Sequence, residues 1–467
     1  MKPASLYTII LLVLSFAACK KDSFITSKDA VISLSADTLR FDTVFTTTGS
    51  ITQLFKISNN NNQKLKINSV ALKGGPNSPF KINVDGTTGP AVKDIVLDAH
   101  DSLFVFVTVT VNPTVAAQPF ILRDSISIES NGNNNFVQLE AWGQNAHFLR
   151  NQKITGNITW TNDLPYVIIG GLQVDTTASL TIQKGCKIYL HADAPLLVDG
   201  SLQVNGEKYD STRVYFRGDR MDYPYNEYPA AWPGIYFRNT SKNNVLQFAV
   251  IQNAYQGLVA QAPSLNANPK LTLNECIIDN IYDAGVYGIG TSINARNCLI
   301  SNCGKNLQLI YGGSYQFVHC TVPTIANNYI AHKDPVLFVS NYVLIGGSLY
   351  TDNLSATFTN CIFWAENGTS DNEVVTSKQG SSTFAVNFNN CLWKVKDNPA
   401  NVATAVNIIN NQNPVFDSIN TTKRIFSFRL KGSSPAVNKG VDAGIVVDLD
   451  GNARPVGLPD LGAYEKQ

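Results

Sequence analysis

Short runs of alternating apolar and polar residues open the readable part of the chain. Leu54-Phe-Lys-Ile57, Lys64-Leu-Lys-Ile67, Phe104-Val-Phe-Val-Thr-Val109 and Asp124-Ser-Ile-Ser-Ile128 read as strands, with the asparagine-rich stretches 59–62 and 131–135 as turns. A period of two marks strands with one buried face, and several such strands at regular spacing predict a β-sandwich over residues 30–147.

Beyond Asn151 the pattern becomes a repeat. A Cys is followed by an apolar or near-apolar pair in Cys276-Ile-Ile278, Cys298-Leu-Ile300, Cys320-Thr-Val322, Cys361-Ile-Phe363 and Cys391-Leu-Trp393. The first three cysteines are 22 residues apart (298 − 276 and 320 − 298), and the next gaps are 41 (361 − 320) and 30 (391 − 361). One strand signature per period predicts a right-handed parallel β-helix with three short strands and about 22 residues per coil, stacked so that equivalent residues form ladders. The expected fold class is therefore all-β: a sandwich, a β-helix over 148–409, and final coils with a C-terminal cap over 410–467.

A small apolar residue suits a crowded interior. Cys276, Cys298, Cys320, Cys361 and Cys391 are expected as a buried, reduced ladder, because parallel in-register side chains offer poor disulfide geometry. Cys186 and Cys303 fall outside that spacing. Asn253, Asn280 and Asn302 each follow Ala249, Cys276 and Cys298 by four residues, which predicts one turn with stacked amides. A polar binding groove made by these asparagines is the alternative.

The N-terminus carries an address. MKPASLYTIILLVLSFAAC has Lys2, an apolar stretch from Ile9 to Phe16, and two alanines before Cys19. That is the layout of a secretory signal, too short to span a bilayer comfortably. The Ala-Ala-Cys end resembles the lipobox of bacterial lipoproteins, and Lys20-Lys21-Asp22 resembles the start of many lipoproteins from Bacteroidota. The resemblance implies a cleaved peptide over 1–18, a lipidated linker over 19–29, and an extracytoplasmic protein held to the outer membrane by acyl chains on Cys19. Phe16 departs from the usual aliphatic residue. Lys20 and Lys21 match poorly the acids that accompany surface export, so the face of the membrane stays open.

Composition narrows the partners. Net charge is +1 and only 15% of residues are charged, so no basic field exists to recruit nucleic acid. Of the eight cysteines, none shows the CxxC spacing of zinc or redox sites.

The segment from Phe41-Asp-Thr-Val-Phe through Phe55-Lys-Ile-Ser-Asn-Asn to Phe80-Lys-Ile82 resembles Ig-like domains of the abnormal-spindle/major-sperm-protein type, which implies a spacer or binding module. The repeat, with Gly156-Asn-Ile-Thr-Trp160, Gly200-Ser-Leu-Gln-Val204 and Trp232-Pro-Gly-Ile235 upstream, resembles β-helix proteins of the pectin-lyase-like type over about 300 residues. Ser434-Pro-Ala436, Asp448-Leu-Asp-Gly451, Arg454-Pro455 and Asp460-Leu-Gly-Ala-Tyr-Glu465 resemble the terminal signature of such secreted proteins.

Candidate chemistry is sparse. Asp448 and Asp450 before Gly451 suggest the opening of a calcium loop, but the closing bidentate Glu is missing, Leu461 not being acidic, so no cofactor is expected. Asp448 or Asp450 is expected to bond turn amides, and Arg454 to pair with Asp460 or Glu465 and close the open end of the helix. The insertion 219–232 offers Tyr223, Tyr225 and Tyr228 for stacking on sugars, with Asp222 and Glu227 as hydroxyl acceptors or an acid and base pair. A proline-rich loop covering an apolar coil face explains the same residues. The enzymes that this resemblance brings to mind carry adjacent Asp pairs, Gly-His-Gly or stacked acids, none of which is present, and the five histidines are scattered. The expected function is a non-catalytic envelope protein binding polysaccharide or cell-surface structures, its oligomeric state open; the alternative is a polysaccharide lyase or glycoside hydrolase with a divergent site.

Overall fold

A computed structural model of the chain describes residues 23–45, 50–111 and 120–467. Cys19 and the leader lie outside the described residues. Among those described, no helix is long and apolar enough to cross a membrane. The chain divides into two units between Asn145 and Ala146.

The first unit is a sandwich of two five-stranded sheets. One sheet orders Ile32–Leu34, Gln53–Asn59, Ser102–Val109, Phe80–Val84 and Thr87–Gly89; the other orders Thr38–Phe45, Asn133–Gln144, Phe120–Ser130, Leu65–Leu72 and Ala91–Leu97. Pairing is antiparallel except between Thr38–Phe45 and Asn133–Gln144, which run parallel. The alternation read from the sequence is the cause: Val105, Val107 and Val109 enter the core while Phe104 and Phe106 face outward.

The second unit is a parallel β-helix of 26 strands, in which each strand pairs with its equivalent one coil later. The strands form three ladders. One runs from Asn157–Trp160 through Ser179–Gln183, Ser201–Asn205, Asn244–Gln247 and Leu271–Asn274 to Leu354–Thr359, Phe384–Asn389 and Thr404–Val406. A second, which contains the cysteines' strands, includes Lys187–Leu190, Val214–Gly218, Ala249–Gln252, Ile277–Asp279, Leu299–Ser301, Thr321–Ile325, Ile362–Glu366, Leu392–Trp393 and Ile409–Asn410. Leu196–Val198, Ile235–Phe237, Leu258–Gln261, Leu337–Ser340 and Val374–Ser377 belong to the third. The register step is 22 residues from Leu271 to Ile293 and from Ile293 to Tyr315. It is 42 from Gln203 to Val245, 41 from Gln316 to Thr357, 30 from Leu354 to Phe384 and 17 from Asn387 to Thr404, so insertions between strands leave the register intact.

All seven described cysteines are free and buried. Cys276, Cys298, Cys320, Cys361 and Cys391 each precede a strand of the second ladder and sit at 0% exposure in the main core. Cys186 belongs to the same column, contrary to the reading from spacing. Lys187 pairs with Tyr215, Val214 with Ala249, and Val250 with Ile277, so the column runs Cys186, Val214, Ala249, Cys276 and onward. The interruption by Val214 and Ala249 hid it. Burial pushes the Cys186 thiol up to about 11. Cys303 packs in the following turn, its Sγ 3.1 Å from the Ser301 carbonyl.

The C-terminal segment departs from expectation. The coils end at Ile409–Asn410, and an antiparallel hairpin, Phe416–Asn420 with Ile425–Leu430, follows. Residues 431–467 then lie along the flank of the second ladder instead of over the last coil, where Val406 stays 49% exposed. Asn390 donates to the Lys439 carbonyl, Asn360 to that of Val441, Asn297 to that of Val447 and Arg213 to that of Leu449. The reason is an outward-facing apolar column, Ile277, Leu299, Ile362, Leu392 and Ile409, which packs under Phe416, Phe428, Leu449, Leu461 and Tyr464. The apolar pair after each Cys therefore has one residue facing the core and one facing this segment.

Candidate functional site

The residues flagged at the C-terminus hold this flanking segment together. Asp448 accepts from the amides of Asp450, Asn452 and Glu465 at 3.0, 2.8 and 3.1 Å. Asp450 pairs with Arg429, and Asp460 accepts from the amides of Asn438 and Lys466. Arg454 is wholly buried against Glu465 at 2.9 Å and reaches Asn297 Oδ1 at 2.8 Å. The carboxylates are filled by amides and guanidinium groups. Among the described residues, no group of three or more His, Cys, Asp or Glu side chains could hold a metal ion.

The insertion folds into a stack of rings and guanidinium groups. Arg220 grips Asp222 through two bonds of 2.8 and 2.9 Å and covers one face of Tyr225 at 4.0 Å. Tyr225 meets Tyr228 edge-on at 5.4 Å, Tyr228 meets Tyr329 at 5.2 Å, and Arg424 lies over Tyr329 at 4.4 Å. Arg424 in turn pairs with Glu227 at 3.1 Å. Both acids that sequence reasoning offered as an acid and base pair are thus engaged by arginines, and Asp222 is 8% exposed. Tyr223 projects outward at 74% exposure.

The asparagine turn underlies this loop. Asn253, Asn280 and Asn302 all hold left-handed backbone, with φ of 62°, 57° and 50°, a conformation that asparagine tolerates better than other side chains do. Asn280 donates to Asn253 Oδ1 and to the Glu227 carbonyl, both at 2.8 Å, and Asn253 donates to the Asn226 carbonyl at 2.7 Å. Asn302 turns aside to Asp279 at 3.1 Å, so the amide ladder spans two coils and then branches. Burial raises the Asp279 carboxyl above its ordinary range, although Ser301 and Asn302 donate to it.

The first ladder presents a different surface. Its outward column runs in register through Thr159, Thr181, Gln203, Val245, Thr272, Asn294, Gln316, Thr357, Asn387 and Thr404. A parallel column of Ser292, Ser314 and Ser355 lies beside it. With the 263–269 loop, Asn294, Gln316 and Thr357 of the first column and the three serines line a groove of about 780 Å³ whose only charged wall residue is Asp352. Asn243 ties the loop down, accepting from Asn266 and Asn268 at 2.9 and 3.0 Å. Tyr315 is buried in the floor and donates to the Gly312 carbonyl, and the buried Thr291 hydroxyl has no protein partner. Sequence reasoning missed this column because irregular insertions conceal its register.

No family model matches the chain, and no curated protein matches it. Three solved structures illustrate its likenesses. Pectate lyase Pel9A is 12% identical with a TM-score of 0.23, covering 69% of this chain and 96% of the lyase. An ASH/PapD-like domain of human CEP192 is 11% identical with a TM-score of 0.17, covering 27% of this chain and 92% of that one. A family 123 glycoside hydrolase from Clostridium perfringens is 7% identical with a TM-score of 0.19, covering 26% of this chain and 30% of the hydrolase.

Proposed function

We propose that this chain is an envelope lipoprotein, anchored through acyl chains on Cys19, that binds neutral polysaccharide without cleaving it. The groove on the first ladder, with Asp352 as its one charged wall residue, carries this reading. Its hydroxyls and amides both donate and accept, which suits sugar hydroxyls, and it lacks the charged groups that would select an acidic polymer. Hydrolysis of a glycosidic bond takes two carboxyl groups flanking the bond, and Asp352 stands alone among the groove residues. No Lys, Arg or His lines the groove to serve as the base of an elimination. The β-ladder holds the donors and acceptors at fixed spacing, so little side-chain ordering remains when a polymer lies down.

Affinity electrophoresis of the mature protein in gels containing neutral polysaccharides tests this. Retardation by at least one neutral polymer is expected, and Gln316→Ala should weaken it about fivefold, the value of one neutral hydrogen bond. Release of shortened oligosaccharides, or retardation by acidic polymers alone, would overturn the reading. Cys19→Ser should move the protein from the membrane to the soluble fraction.

A further inference from the structure

One hairpin is fastened to the coils at its base and bare at its tip. It interrupts the coil between Leu337–Ser340 of the third ladder and Leu354–Thr359 of the first, and its strands, Tyr342–Ile345 and Ser348–Thr351, pair antiparallel. At the base, the buried Asn341 donates to the Gln379 carbonyl and accepts from the Gln379 amide, both at 2.9 Å, and its carbonyl accepts from the Asp352 amide at 2.9 Å. Tyr342 and Thr351 reach the hydroxyls of Ser377 and Ser382 at 3.2 and 2.9 Å. Towards the tip, Leu344 and Ile345 are 64% and 61% exposed, and Leu349 and Tyr350 are 46% and 47% exposed. Gly346 and Gly347 close the turn with φ of 56° and 82°, the left-handed pair that a two-residue hairpin turn requires.

Register decides what can cover such a tip. Residues directly opposite in an antiparallel pair share a face, and successive residues alternate between faces. Leu344 and Leu349 are opposite each other and share one face, while Ile345 and Tyr350 lie on the other. A flat partner covers one face only; covering both takes a medium that surrounds the tip. The chain from Ser340 to Thr351 holds no charged residue, and the two strands satisfy each other's backbone groups, so little opposes transfer into an apolar medium. Polarity is also graded along the hairpin. The tyrosines, each with a polar end, stand nearer the base, and the aliphatic Leu344, Leu349 and Ile345 stand beyond them, the order that a headgroup layer over acyl chains favours. Three residues from Tyr342 to Ile345 reach about 10 Å, which matches the ~5–10 Å depth of interfacial elements and falls far short of a ~30 Å hydrocarbon core.

We propose that the hairpin 342–351 inserts its tip into the interfacial layer of a lipid bilayer with zwitterionic headgroups. The contact is peripheral. It needs neither acyl chains on Cys19 nor polymer in the groove, and the absence of charge on the hairpin gives it no preference for anionic lipid.

Co-sedimentation of the mature chain carrying Cys19→Ser with phosphatidylcholine vesicles tests the proposal, since no acyl chain can then hold the protein to lipid. Sedimentation with the vesicles is expected, equally at low and high salt because no charge attraction is involved. Leu344→Ser combined with Ile345→Ser should weaken the partition about a hundredfold, about tenfold for each exposed side chain that no longer enters the bilayer. Should that variant unfold, Leu349→Ser on the other strand should weaken it about fivefold. Absence of sedimentation, sedimentation only when phosphatidylglycerol is added, or equal partition of parent and folded variant would overturn the proposal. So would a concentration-dependent dimer of the parent that the double variant lacks, because a second copy would then cover the tip. Polymer retardation in gels reads the groove independently, so failure of one reading is distinguishable from failure of the other.

Discussion

Acid should destabilise this protein through one histidine. His319 is 1% exposed, and Asn360 Nδ2 donates to its Nε2 at 2.9 Å, which leaves the proton on Nδ1, a buried atom with no protein partner. Burial, reinforced by the Arg454 guanidinium, pushes its pKa down to about 3. An unfolded chain takes up a proton near 6.5, so between those values the unfolded state binds more protons and stability falls with pH. Integrated from pH 7 to pH 4.5 the loss is about 2.5 kcal/mol, at 1.36 kcal/mol per pKa unit. The perturbation is His319→Asn. His319 has φ of 51°, and the corresponding positions before Cys298, Cys361 and Cys391 are already asparagines with φ of 49°, 55° and 49°. Asparagine therefore suits the backbone and removes the titrating group. Urea unfolding of both proteins at pH 7 and pH 4.5 isolates the histidine from the carboxylates common to both. The variant should lose less stability than the parent by about 2.5 kcal/mol across that interval. Equal losses would refute the assignment of a neutral buried imidazole.

Two further outcomes follow from the cores. The native protein should leave its seven core thiols unreactive toward a disulfide reagent, and the unfolded, unreduced mature chain should titrate seven; fewer would mean a disulfide within the ladder. Arg454→Met strands the buried Glu465 carboxylate and should cost about 3–5 kcal/mol in urea unfolding, with Glu465→Leu added to it restoring part of the loss; a change below about 1 kcal/mol would show that the pair is not buried as described.

Some of this fold was legible because its rules are local. Period-two alternation marks a strand with one covered face, and it located the sandwich. The 22-residue recurrence located the coils from Cys276 to Cys320, but it failed between Cys186 and Cys276, where Val214 and Ala249 occupy the column and the insertion 219–232 lengthens the step. The adjacent apolar residues after each Cys carried a further message: in a strand they point to opposite faces, so both faces are covered. The segment that covers the outer face lies far off in sequence, Leu449 being 236 residues from Arg213, so pattern alone could not name it. The aromatic insertion was visible by composition. Arg424 and Tyr329 were not, because they reach Glu227 and Tyr228 only through folding, and nothing in Thr421-Thr-Lys-Arg424 marks a partner for that loop.

The flanking segment also decides which surface is open. In an isolated solenoid each coil meets only its neighbours, and stability is a sum of local terms. Here one segment bonds to residues 390, 360, 297 and 213 in turn, so those coils are linked to one another through it. It does so over the apolar face of the second ladder, which is thereby removed from solvent. The first ladder needs no such cover, because its outward column is threonine, asparagine and glutamine except at Val245, and it stays accessible along the coils. Rigidity supplied on one flank thus holds the register of the groove on another, and a variant that loosened the C-terminal segment should weaken polymer binding without touching a groove residue.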